Sequence, residues 1–128
     1  AGWSTITNAF ANGSTALPDG IGTGSSNTDA IIDQNSGGAS AAKICRDYTG
    51  GGKSDWFLPS RDELDAIWDN LVDDGSGSNS NVGGFANDWY WSSSELNETR
   101  ARTQYFGSYN QGLSMKYDEE RVRAVRAF

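Results

Sequence analysis

The closing residues of the chain carry the side chains best suited to holding a ligand. Arg121, Arg123 and Arg126 lie within six residues of one another, in the run Arg-Val-Arg-Ala-Val-Arg. In an extended strand Arg121 and Arg123 point to one face and Arg126 points to the other. A guanidinium grips a sulfate, carboxylate or phosphate group through two parallel hydrogen bonds. The pattern therefore predicts an anion-binding surface at this end of the chain.

Further basic side chains extend this candidate surface. Arg100 and Arg102 share one face of the predicted strand at 100–106, and Lys116 lies in the predicted strand at 112–117. The expected anion contacts are thus Arg100, Arg102, Lys116, Arg121 and Arg123.

The competing interpretation of the arginines is structural. Fourteen acidic side chains precede residue 100, so partners for ion pairs are plentiful. In that case the arginines would fix the sheet to a helix by pairing with Asp62, Glu63, Asp65 or Glu95. Arg126, on the face of Phe128, is expected to be an ion-pair member of this kind.

Aromatic side chains offer a second kind of contact. Tyr105 and Tyr109 lie in or beside the later strands and are expected to be exposed ligand contacts, as is Tyr117. Trp89 and Trp91 share one face of a predicted strand, where they would form either a stacking platform for a sugar ring or part of the core. The core interpretation is favoured for both, and for Trp56 and Trp68 as well.

Catalytic and metal chemistry is largely excluded by composition. The chain has no histidine and one cysteine, so neither a Ser-His-Asp site nor a Cys-His site exists within it. We therefore expect no enzyme and no transition-metal cofactor. Calcium, which takes oxygen ligands, is the cation that the chain could hold, on Asp73, Asp74, Asn79 and Asn81, although the EF-hand spacing is absent. Cys45 is expected to be a buried structural residue.

Charge and hydropathy exclude other classes of partner. The net charge is -7, and the only positive surplus lies after residue 99. A nucleic-acid binder needs a broad positive field, so none is expected. No apolar run of about 18 residues exists, so no membrane insertion is expected either.

Three helices are predicted in the first half of a single domain. The first covers 28–34, capped by Asn27 or Thr28, and the second covers 40–48, with an apolar face that includes Ile44, Cys45 and Tyr48. The third runs from Arg61 to about residue 72. It is introduced by a Ser-x-x-Glu capping box at 60–63 and carries an apolar stripe of Leu64, Ile67, Trp68 and Leu71.

The second half of the chain changes to strands. Residues 73–84 read as a polar, glycine-rich mobile loop, and the apolar period then falls to two. Four segments, at 89–94, 100–106, 112–117 and 121–128, predict an antiparallel meander. Together with the helices they indicate an α+β fold. In the irregular first 27 residues the expected core anchors are Trp3, Ile6 and Phe10.

Five motifs, taken in order, resemble the C-terminal domain of Legionella collagen-like adhesins: AAKIC at 41–45, DWFLPSRDEL at 55–64, GGF at 83–85, YWSSSE at 90–95 and VRAVR at 122–126. The resemblance covers residues 3–128 and implies a fold of C-type-lectin-like kind. It also implies a secreted or bacterial-surface location, a homotrimer, and binding of sulfated glycosaminoglycans through basic side chains. Family members usually carry a further stretch upstream, with a strand that closes the sheet, so we expect either that this part is missing here or that the chain is a divergent form.

The leading functional hypothesis is an extracellular adhesion domain that binds a carbohydrate, in particular an anionic polysaccharide. Two alternatives stay open. The domain would otherwise be a trimerising cap or assembly module of a fibre, or the receptor-binding tip of a phage fibre.

Overall fold

The computed structural model describes residues 2–3, 11, 15–72 and 83–127. Three helices come first: α1 at Gly24–Gln34, α2 at Ala41–Asp47 and α3 at Arg61–Ile67. A sheet of three antiparallel strands follows, with β1 at Trp89–Glu95, β2 at Arg100–Tyr105 and β3 at Asn110–Met115. The predicted α+β class is confirmed. Ile6, Phe10 and almost all of the predicted 73–84 loop lie outside the described residues.

Helix α1 begins four residues earlier than predicted, at Gly24. The predicted caps, Asn27 and Thr28, are instead buried inside the helix, where the Thr28 hydroxyl donates to the Gly24 carbonyl at 2.7 Å. The helix start is satisfied from outside, because the Glu63 carboxylate accepts the N–H groups of Gly22 and Gly24 at 3.2 and 3.1 Å. A carboxylate 39 residues away therefore caps the helix start, in place of the local side-chain cap that the sequence predicted.

Helix α3 has the predicted capping box. The Ser60 hydroxyl accepts the Glu63 N–H at 3.3 Å, and the Glu63 carboxylate accepts the Ser60 N–H at 2.8 Å. After Ile67 the helix widens into a π-helical turn, Trp68–Val72. Because the wider turn rotates the following side chains, Val72 is buried and Leu71 is 39% exposed, so the predicted apolar stripe is wrong at its last position.

The sheet has the order β1-β2-β3, and the predicted fourth strand is wrong. Residues 121–127, here named the C-terminal segment, form isolated bridges instead. Arg121 pairs with Tyr90 in parallel orientation, and Val125 pairs with Phe57 in antiparallel orientation. The segment thus passes along the outer edge of β1 and on to the chain before α3, rather than beside β3.

The two faces of β1 bury separate apolar clusters, because adjacent strand residues point to opposite sides. Trp91 packs with Trp3, Ile31, Cys45 and residues near them, on the side of α1 and α2. Tyr90 and Phe106 pack with residues from α3 and its π-helical turn. Trp3, the described N-terminal anchor, is fully buried as predicted. The C-terminal segment is fixed against the first cluster, because Val122 and Ala124 pack on it.

Candidate functional site

Lys116 does not belong to an exposed anion-binding surface. Its side chain and that of Glu95 are fully buried, and the ammonium donates to the Glu95 carboxylate at 2.5 Å. The same ammonium lies 4.7 Å from the ring centre of Trp3. Burial lowers the pKa of Lys116, and the Glu95 carboxylate opposes that shift. The expectation for Lys116 is corrected, because a lysine closed off in this way is a structural ion pair.

The two arginines of β2 have different surroundings. Arg102 is half-buried and contacts the Asp19 carboxylate at 3.0 Å, and Arg61 contacts that same carboxylate at 3.5 Å. Arg100 is exposed, and its Nε donates to the sulfur of Met115 at 3.3 Å. Arg102 therefore holds the loop before α1 against the sheet, whereas Arg100 is open to solvent at the end of β2 that begins the strand.

Tyr105 and Tyr109 lie on different surfaces. Tyr105 is half-buried against Trp89, with ring centres 5.3 Å apart. Tyr109 is 52% exposed, and its ring lies 6.0 Å from that of Trp68. Its hydroxyl bonds to Asp65, which raises the pKa of Tyr109. Neither tyrosine lines a groove of the kind found beside the closing arginines.

The C-terminal segment is held by backbone hydrogen bonds at both ends. The Arg121 N–H donates to the Trp89 carbonyl at 3.0 Å, and the Trp91 N–H donates to the Arg121 carbonyl at 2.9 Å. At the other end Phe57 and Val125 exchange bonds of 2.8 and 3.0 Å. These bonds fix the backbone that carries the three arginines.

Arg121 and Arg126 are each paired with an aspartate. Arg121 Nε lies 3.0 Å from an Asp88 oxygen, and the pKa of Asp88 is lowered, first by the Trp89 N–H and then by Arg121. Arg126 makes two bonds to Asp55, at 2.6 and 2.9 Å, and these lower the pKa of Asp55. The ion-pair prediction for Arg126 is confirmed. The partners differ from the four acids that the sequence suggested.

Arg123 is the arginine of this segment that the described residues leave without a carboxylate. Its guanidinium stacks 4.1 Å from the ring centre of Phe85 and donates to the Gly83 carbonyl at 2.7 Å. Within 15–72 and 83–127 no Asp or Glu oxygen lies within 4.0 Å of it. These contacts leave guanidinium N–H groups for a further acceptor.

Tyr48 and Trp56 form an aromatic wall beside the C-terminal segment, although the sequence predicted both in the core. The helix period put Tyr48 on the core face of α2, but Tyr48 is 51% exposed and Ile44 on the same helix is 48% exposed. Trp56, expected in the core, is half-buried. Its ring meets that of Tyr48 edge to face at 4.9 Å, and its indole N–H donates to the Gly50 carbonyl at 3.1 Å. Gly50 was the signal in the sequence, because a Cβ at this position would overlap the Tyr48 ring.

Three adjoining grooves share Arg123 as a lining residue. The first, of about 440 Å³, lies between Tyr48, Trp56 and the C-terminal segment. The second, of about 870 Å³, is largely apolar and also reaches Lys53 and Arg126. The third, of about 470 Å³, reaches Arg121. Of the seven predicted site residues, the structure brings together Arg121 and Arg123 on this surface.

The described part of the chain contains neither a metal-binding cluster nor a reactive thiol. No group of three metal-ligating side chains occurs there, and the four proposed calcium ligands lie outside it. Cys45 is buried as predicted, and burial raises the pKa of its thiol to about 12. A thiol with that pKa is not a nucleophile near neutral pH.

The family assignment follows from the comparisons with known proteins. The profile of the Lcl C-terminal domain matches residues 3–126. The chain belongs to the Lcl C-terminal domain family. This confirms the resemblance to the collagen-like adhesins and associates the Lcl domain described here with an adhesin role. No curated protein and no solved structure matches it, so the C-type-lectin-like comparison stays a prediction. Among the described residues no helix is long and apolar enough to cross a bilayer.

Proposed function

We propose that this Lcl domain is a non-enzymatic adhesion module that binds an anionic carbohydrate, at the bacterial surface or outside the cell. The observation that carries the proposal is Arg123. It is a guanidinium without a carboxylate partner in the described part of the chain, and it lines three adjoining grooves. Family membership supports the adhesin role and the location.

The surroundings of Arg123 suit a sulfated or carboxylated sugar. Tyr48 and Trp56 offer apolar ring faces for the C–H face of a pyranose, while the guanidinium offers paired donors for the acidic group. Lys53 and Arg126 extend the positive charge along the second groove. The ligand contacts proposed here therefore centre on Arg123, with Arg121 at one end and Arg126 at the other.

The test is binding of a heparin-like sulfated polysaccharide at low salt, by calorimetry or surface plasmon resonance. Arg123→Gln removes one charge-assisted contact of about 1.5–3 kcal/mol, so affinity should fall roughly 10- to 100-fold. Arg100→Gln is the matched control, because it makes the same charge change on an exposed arginine outside all three grooves.

An aromatic pair of variants tests the second half of the site. Tyr48→Ala should weaken binding several-fold, whereas Tyr117→Ala should not, since Tyr117 is 66% exposed and lines none of these grooves. Equal losses in Arg123→Gln and Arg100→Gln would mean that net charge alone attracts the polymer. Absence of binding at low salt would remove the anionic-carbohydrate function altogether.

A further inference from the structure

Arg123 presents a guanidinium with one edge open. Its Nη1 donates to the Gly83 carbonyl at 2.7 Å, and its central carbon lies 4.1 Å from the ring centre of Phe85. No described residue accepts a bond from Nε or Nη2. Neither nitrogen is among the buried polar atoms that lack a partner, so solvent reaches both. The open edge is therefore the Nε–Nη2 pair, which offers two parallel N–H donors.

Phe85 and Gly83 fix the direction of this edge. The Phe85 ring is buried and stacks on Phe106, with ring centres 4.5 Å apart. A Cβ at Gly83 would lie 2.4 Å from the Phe85 ring, so the absence of a side chain lets that ring lie against the backbone. The guanidinium of Arg123 rests on this buried ring and bonds to the carbonyl beside it. The GGF motif at 83–85 therefore forms the support that holds Arg123 in one orientation.

The neighbouring arginines show which anion fits such an edge. Arg126 donates from Nε and Nη2 to the two carboxylate oxygens of Asp55, at 2.6 and 2.9 Å. Arg121 also uses its Nε, which donates to the Asp88 carboxylate at 3.0 Å. Both flanking arginines of the C-terminal segment thus bind a carboxylate through the edge that Arg123 leaves open. The two coplanar oxygens of a carboxylate match the two parallel donors.

The first groove suits a sugar residue with a single negative charge. Arg123 is the charged side chain among the described residues that line it. The other lining residues are apolar or aromatic: Ile44, Cys45, Tyr48, Trp56, Val122 and Ala124. A sugar residue with several sulfates would bring charges that this groove does not meet, in a chain of net charge -7. One acid group on the ring matches the one guanidinium.

A uronic acid residue can meet the guanidinium and the aromatic wall together. Its carboxylate is bonded directly to the sugar ring, so the ring and the acid group move as one body. A sulfate is attached through an ester oxygen and has further rotatable bonds, whose fixing costs entropy on binding. Tyr48, Trp56 and Arg123 line the same groove of about 440 Å³. A uronate ring stacked on the aromatic wall therefore keeps its carboxylate in the groove that Arg123 lines.

We propose that the open edge of Arg123 is a subsite for the carboxylate of a uronic acid residue, rather than for a sulfate group. The inference rests on the proposed function and names the acid group that binds at its central residue. Sulfates elsewhere on a polymer then contribute by attraction at longer range, to which Arg123 adds no more than any other exposed cation.

The test compares heparin with two of its chemical derivatives at low salt, by surface plasmon resonance. One derivative is desulfated and keeps its uronate carboxylates, and the other is carboxyl-reduced and keeps its sulfates. Arg123→Gln should weaken binding of the desulfated polymer roughly 10- to 100-fold, as for heparin itself. It should weaken binding of the carboxyl-reduced polymer no more than the matched control Arg100→Gln does. Tyr48→Ala should weaken both derivatives equally, because stacking uses the sugar ring and not its acid group.

Circular dichroism and thermal melting of the three variants keep the comparison to folded proteins. An Arg123→Gln loss that is equal for the two derivatives, or larger for the carboxyl-reduced polymer, would overturn the uronate subsite and leave the proposed function standing. Desulfated heparin that fails to bind where heparin binds would overturn the subsite as well. If heparin and both derivatives fail to bind, the proposed function itself is wrong, and the subsite falls with it.

Discussion

Replacing Lys116 by Met tests the account of the buried ion pair most directly. Both Lys116 and Glu95 are fully buried, and the Glu95 carboxylate also accepts the Ala11 N–H at 3.0 Å. The Lys116 backbone is fixed as well, since its carbonyl accepts the Trp3 N–H at 3.0 Å. Met keeps the length and apolar character of the lysine stem, so Lys116→Met removes the ammonium with little change in packing.

The expected cost is large because a carboxylate stays behind. Removing one partner of a buried pair leaves an uncompensated charge and costs about 3–5 kcal/mol. A domain of this size has about 5–15 kcal/mol of total stability, so this single change should lower the melting temperature by roughly 10–20 °C. Adding Glu95→Gln removes the lone charge and keeps an acceptor for Ala11. The double variant should therefore be about 1–3 kcal/mol more stable than Lys116→Met alone.

Urea unfolding followed by tryptophan fluorescence measures both differences. The two variants and the unchanged protein are compared at the same neutral pH. A Lys116→Met protein within 1 kcal/mol of the original, or a double variant less stable than the single one, would refute the buried-pair account and reopen Lys116 as an exposed contact.

Three further outcomes follow from the same structure. Gly24→Ala should lower stability by about 1–3 kcal/mol in urea unfolding, because its Cβ would overlap the Glu63 carboxylate and lie 2.9 Å from Phe57. Because the folded pKa of the Cys45 thiol, about 12, exceeds its ordinary value of 9.0, stability should fall between these pH values, by about 1.4 kcal/mol per unit. Cys45→Ala should lack that extra slope in unfolding measured against pH. The lowered pKa of Asp55 contributes stability that is lost as pH falls through it, so Arg126→Gln should differ from the original least in acid, below that lowered pKa.

The sequence predicted correctly the secondary-structure elements whose ends are capped by neighbouring residues. The third helix was identified from residues 60–71 because Ser60 and Glu63 satisfy each other within one turn. The start of α1 was misplaced because its first N–H, that of Gly24, donates to Glu63, which is 39 residues away and has no local signature. The rotation of Leu71 out of the core depends on a π-helical turn, and the α-helical period carries no information about it.

The sequence predicted the arginines of the candidate site but not its aromatic residues. Arg121 and Arg123 were found because arginines close in sequence stay close in space. Tyr48 and Trp56 were missed because both were assigned to the core, Tyr48 from the helical period, whereas Tyr48 is 51% exposed and both line the groove beside the C-terminal segment. The segment predicted as a fourth strand forms isolated bridges instead, and Arg123 and Arg126 line the same groove although strand alternation put them on opposite faces.

The distribution of ion pairs explains why one arginine carries the functional proposal. The acidic body of the chain does neutralise the C-terminal segment, but it does so through aspartates that lie 33 and 71 residues away from Arg121 and Arg126. Each ion pair lies beside one of the two backbone bridges of the segment: Arg121–Asp88 at the start of β1, and Arg126–Asp55 before α3. The ion pairs and bridges together hold the segment in place. Between them Val122 and Ala124 pack on the core, and Arg123 contacts Phe85 and the Gly83 carbonyl rather than a carboxylate of the described residues. For this reason the proposed anionic ligand is placed at Arg123.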